Sequence, residues 1–170
     1  MSGVPKTKID LRTILFHKNT YVASFCIFLV TSFLFLARLG IQELSNVHLA
    51  VEPSLYEYRV TLKSEFWAII YPIALAPFIE STILAMIIFR VKRLTSHALL
   101  VVLVSGGLMA VLHLVNSQNY ALKVLPDFLV YAYVFTFSIR TTSTVSALCR
   151  ITLPHAMNNF AALFLLYSLA

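Results

Sequence analysis

Between Thr20 and Leu39 the chain reads TYVASFCIFLVTSFLFLARL, twenty residues with no charge before Arg38. A helix rises about 1.5 Å per residue, so this run is long enough for a hydrocarbon core about 30 Å thick. Four more apolar stretches follow: 66–89, 98–115, 128–139 (starting nearer Leu125) and 144–170, the last interrupted by Arg150 and Pro154. Polar connections separate them, and RVKR at 90–93 makes a basic stop. The pattern predicts an all-α fold, a polytopic transmembrane helix bundle of about five to six spans. The sixth would be a broken or re-entrant piece.

Composition supports lipid as the surrounding solvent. Charged residues make up 12% of the 170 positions and hydrophobic ones 59%, whereas a soluble domain carries about 25% charge. So few charges cannot clothe a water-facing surface. The net charge of +6 is not gathered on one face or tract, so nucleic acid is not the expected partner. The charges fit topology better. With the N-terminus in the cytoplasm, that side holds Lys6, Lys8, Arg12, Lys18, Arg90, Lys92, Arg93, Arg140 and Arg150. The other side holds Arg38, Arg59, Lys63 and Lys123. Nine against four favours N-in. An odd number of spans then leaves the C-terminus outside.

Residues 1–18 therefore read as a cytoplasmic basic tail, and 19–170 as a single transmembrane bundle. The first apolar run is too long for a secretory signal core and lacks a convincing Ala-x-Ala-like site, so it is expected to stay as the first span. Residues 41–64, with Glu43, Glu52, Glu57, Tyr56 and Tyr58, form a loop or interfacial piece. Cys26 and Cys149 make neither a disulfide framework nor a Cys-x-x-Cys metal motif and read as packing residues. The closing YSLA carries no prenylation signal.

Of seven acids, only Glu80 falls inside an apolar span. An acid at mid-membrane costs about 2.5–3.5 kcal/mol, so it needs a purpose: proton transfer, or interhelical hydrogen bonding as packing glue. His113 closes SGGLMAVLHLVN, where Gly106 and Gly107 admit a close neighbouring helix. Alone, His113 reads as an interfacial side chain. In LPHAMNNFA, His155 and Asn159 are four apart and share a helix face, with Asn158 beside them. Pro154 frees the carbonyl four residues earlier and can kink the helix, which suggests a small hydrated cavity. The plain reading of this face is interhelical hydrogen bonding.

Taken together, the four side chains have two chemical uses. Glu80 with a histidine can take a proton from water while neighbouring donors steady an oxyanion, which is peptide hydrolysis without a covalent intermediate. Alternatively, two histidines and one carboxylate can hold a metal such as zinc with open positions. No His-Glu-x-x-His helix is present.

The order of these residues resembles the CAAX protease and bacteriocin-processing family of intramembrane proteases. That family carries Glu-Glu-x-x-x-Arg after a proline, Phe-x-x-x-His, and His-x-x-x-Asn. Here APFIESTILA supplies Pro77 and Glu80, MAVLH supplies His113 with Met109 at the phenylalanine position, and HAMNN supplies His155 and Asn159. SIRTTS resembles the Arg-Thr-Gly-Ser turn that leads to the third motif. The likeness covers about 72–165. It implies an endopeptidase acting on a peptide or membrane-protein substrate, with Glu80 and His113 activating water, His155 and Asn159 binding the oxyanion, and no resident cofactor. Ser81 stands at the second glutamate and Ala85 at the arginine. These departures motivate an alternative, a catalytically weakened member acting as a membrane binding or bacteriocin-immunity factor. A proton- or ion-coupled relay is a third reading. The sequence leaves the oligomeric state open.

Overall fold

The structure, a computed structural model, describes residues 19–44, 65–116 and 118–168. Every regular element among them is helical: α1 (Thr20–Leu44), α2 (Glu65–Ile70), a π turn (Tyr71–Leu75), α3 (Ala76–Leu94), α4 (Ala98–Leu112) closed by a 3-10 turn (His113–Val115), α5 (Gln118–Ser138) and α6 (Thr144–Ser168). Three stretches are long and apolar enough to cross a membrane: Tyr71–Leu94, Ala98–Val115 and Gln118–Ser138. A shorter apolar helix runs over Thr20–Leu34. The basic tail at 1–18 and the mixed segment from 45 to 64 lie outside the described residues.

Helix α5 sits at the centre and touches α1, α3, α4 and α6. Its buried face carries Phe128, Tyr131, Ala132 and Phe135, spaced at helical intervals. Leu84, Ile88 and Val91 of α3, Val101, Val102 and Met109 of α4, Ile27 of α1, and Ala147 and Ile151 of α6 complete the core. Large apolar side chains also point outward, among them Met86, Leu99, Leu103, Leu108 and Phe160. Buried and exposed faces are alike in chemistry, which fits lipid rather than water outside the bundle.

The two glycines of α4 differ. A Cβ at Gly106 would lie 2.8 Å from Leu129 Cδ2 and 3.1 Å from the Leu129 backbone, whereas one at Gly107 meets nothing within 4 Å. Only Gly106 lets α4 and α5 close. Gly106→Ala is therefore expected to cost about 1–3 kcal/mol by forcing the helices apart. Gly107→Ala should gain a fraction of a kcal/mol, up to about 1, through helix propensity. Thermal unfolding in detergent separates the two.

Pro72 and Pro77 lie in one continuous helical rod, Glu65–Leu94, and it is the π turn that accommodates them. There the Ala76 N–H reaches the Tyr71 carbonyl, five residues back. In the same register residue 77 would serve the Pro72 carbonyl, but proline has no N–H. That carbonyl finds its donor elsewhere, as described below. Helix α6 continues through Pro154.

Arg150, which interrupts the last apolar stretch in the sequence, is fully buried in α6 on the same face as Ala147 and Ile151.

Candidate functional site

Glu80 lies one turn past the π turn on α3, His113 in the 3-10 turn that closes α4, and His155 and Asn159 on α6. All four line one cavity of about 70 Å³. Its lining runs along α5 from Tyr120 in the first turns to Tyr131 near the middle. At about 30 Å³ per water it has room for roughly two. The rod through the π turn brings Glu80 level with His113, although Glu80 sits well inside its apolar stretch and His113 at a helix end.

The carboxylate is held between two imidazoles. Glu80 Oε2 is 3.4 Å from His155 Nε2 and 3.8 Å from His113 Nε2. Both histidine side chains are 11% exposed and the glutamate 27%. The two rings are fixed differently. His113 Nδ1 lies 2.8 Å from the Met109 carbonyl oxygen, one turn back. A carbonyl only accepts, so Nδ1 carries the proton and neutral His113 turns a bare Nε2 toward Glu80. His155 Nδ1 is buried with no hydrogen-bond partner. A buried N–H without an acceptor is costly, so the neutral His155 proton belongs on Nε2, directed at Glu80. The two imidazoles thus present opposite faces: a base at His113 and a donor at His155.

Asn159 is shared between cavity and scaffold. Its Nδ2 donates to the Pro72 carbonyl oxygen at 2.8 Å, the carbonyl that Pro77 leaves without a helical donor. Only the NH2 end of the amide can face a carbonyl, so one N–H of Asn159 is engaged and the other remains for the cavity.

Several lining residues carried no role in the sequence reading. Asn158, noted there only as a neighbour, donates from Nδ2 to Thr31 Oγ1 (2.6 Å) and to the Tyr131 hydroxyl (3.1 Å), and its Oδ1 accepts from Ser32 Oγ (3.1 Å). Tyr120, Asp127 and Tyr131 line the cavity from α5. Their signal was helical spacing, with positions 120, 124, 127 and 131 falling on one face. Asp127 read as an acid at a segment end, which hid this. Ser81 and Ala85 both point into the core of the bundle.

Among the described residues no group of three His, Cys, Asp or Glu side chains is arranged to hold a metal ion. No family model matches the chain, and no curated protein or solved structure matches it either.

Proposed function

We propose that this chain is a multi-pass intramembrane endopeptidase of the CAAX protease and bacteriocin-processing type, with five or six spans and its N-terminus in the cytoplasm. The supporting observation is the Glu80 carboxylate set between a basic and a donating imidazole at a small cavity that Asp127 also lines. Glu80, backed by His113 Nε2, takes a proton from water. The water oxygen bonds to the scissile carbonyl carbon, whose oxygen becomes an oxyanion facing the second N–H of Asn159, with His155 Nε2–H turning to it from Glu80 as the carboxylate takes up the water proton. The C–N bond then breaks, and the proton held at Glu80 passes to the leaving amine. A helical substrate must unwind at the cavity to present an extended bond.

The test uses the full chain in nanodiscs with a panel of single-span peptides bearing a fluorophore and quencher, in water enriched in oxygen-18. The expected result is cleavage with one heavy oxygen in the new carboxyl and a rate unchanged by chelators. No cleavage across the panel overturns the reading. A rate lost on chelation and restored by zinc overturns the metal-free step.

Ser81 and Ala85 support a second reading. Neutral, buried side chains occupy both positions, so no charge from α3 flanks Glu80 there. A non-hydrolysing binding or immunity factor would keep the polar cluster for recognition alone. Undiminished protection of bacteriocin-challenged cells by Glu80→Gln, with no cleavage by wild type, would select it.

A further inference from the structure

Both histidines beside Glu80 pack against aromatic rings, His113 against Tyr120 (5.5 Å) and Phe128 (5.1 Å), but only one of them is also tied by its own helix. His113 is pinned by its Nδ1–H bond to the Met109 carbonyl within its own helix. His155 has no such bond: its Nδ1 is buried and unpartnered. Its ring could turn about its side-chain torsions unless packing holds it. The packing is specific. Tyr131 stacks on the His155 ring, with centroids 5.3 Å apart and planes 28° apart. Phe128 meets the same ring edge-on at 5.8 Å and 89°.

Tyr131 is fixed in turn by a hydrogen-bonded relay from α1. Thr31 Oγ donates to the Ile27 carbonyl at 3.0 Å, which leaves its lone pairs for Asn158 Nδ2. The second Nδ2 proton of Asn158 goes to the Tyr131 hydroxyl, and Ser32 secures Oδ1. Asn158 thus makes three hydrogen bonds to two helices other than its own. No hydrogen bond of this relay goes to Glu80; Tyr131 belongs to the apolar core through its ring, while its hydroxyl and the polar groups of Asn158, Thr31 and Ser32 add a polar fastening beside that core.

From these contacts we infer that Tyr131 and Asn158 are positioning residues, which set the plane of the His155 imidazole so that Nε2 faces Glu80, and that α1 is part of the site through Thr31 and Ser32. The inference rests on the proposed hydrolytic site for its consequence, but the ring orientation is readable without any activity. His155 needs an external brace because its own helix gives Nδ1 no acceptor. An aromatic stack supplies it, and the tyrosine hydroxyl registers that stack against α1.

The experiment reads each histidine separately. The full chain in nanodiscs is treated with diethyl pyrocarbonate, and modification rates at His113 and His155 are mapped by mass spectrometry. In Tyr131→Leu the His155 rate should rise about tenfold, the change expected from losing one aromatic pair, while His113 stays within about twofold because its Met109 bond is local. Tyr131→Phe keeps the stack and loses the relay, so a rise at His155 of about threefold is expected from one hydrogen bond. Asn158→Leu should match Tyr131→Phe. A parallel rise at both histidines marks general loosening and overturns the inference, as does no change at His155. If Tyr131→Leu does not fold, the Tyr131→Phe and Asn158→Leu pair decides alone. Where cleavage is found, these variants should lower kcat and leave KM within about twofold. Absence of cleavage in wild type refutes the hydrolytic reading and leaves the modification result standing.

Discussion

Replacing Glu80 by glutamine is expected to abolish peptide cleavage, with a loss of about 10²–10⁴-fold in kcat, the usual worth of a positioned general base. The substitution is nearly isosteric. The glutamine oxygen can still accept from His155 Nε2–H, so the ring does not lose its partner. What disappears is the ability to take a proton from water. Folding should survive, because the side chain is 27% exposed at the cavity rather than sealed in the core. Thermal unfolding within a few degrees of wild type checks that. KM should be unchanged, since the carboxylate meets the attacking water and not the body of the substrate. If kcat falls by less than about tenfold while the fold is intact, Glu80 is not the base. His113 becomes the alternative, because its bare Nε2 lies 3.8 Å from Glu80 at the same cavity. A companion His113→Gln variant resolves this: under the proposal its defect is smaller than that of Glu80→Gln, because the carboxylate remains.

Much of the fold was legible because lipid imposes a simple code. Apolar runs gave the helix over 98–115 and most of 71–94, and every regular element described is helical. The run at 128–139 gave only the second part of Gln118–Ser138, because the polar side chains of 118–123 read as a connection although they form the first turns of that helix. The candidate site was legible in its polar residues, since Glu80, His113, His155 and Asn159 are conspicuous against an apolar background. Their meeting at one cavity required the fold. Other features were hidden for physical reasons. Tyr131 is both an aromatic core residue and the brace on His155, and its hydropathy reveals only the first. Asn158 looked redundant beside Asn159, yet the two amides point to different helices, 100° apart on the helix circumference. Arg150 read as an interruption of the last apolar stretch because sequence shows its neighbours in the chain but not the face it turns inward. Pro72 and Pro77 mark a backbone irregularity in any helix, since neither offers an N–H. That the answer was a π turn rather than an interruption depends on an amide donated from another helix.

That amide makes the second large prediction. Asn159→Ala removes the donor to the half-buried Pro72 carbonyl and should cost about 0.5–1.5 kcal/mol of stability, the net worth of one hydrogen bond. It should also lower kcat by about 10²-fold if the other N–H serves the oxyanion. One substitution thus confounds two roles, and Pro77 separates them. Pro77→Ala restores a backbone N–H at the position that would serve the Pro72 carbonyl in the π register. In that background the carbonyl no longer depends on Asn159, so adding Asn159→Ala should cost at least about 0.5 kcal/mol less than it does alone, a coupling that thermal unfolding of the four proteins in a double-mutant cycle can resolve. The turnover defect should persist in the double variant, because a backbone N–H at residue 77 is spent on the carbonyl and offers nothing to the cavity. Additive stabilities would show that Asn159 does not cap the π turn. Recovery of turnover together with stability would show the amide to be a scaffold fastening only, with His155 Nε2–H as the donor that remains for the oxyanion.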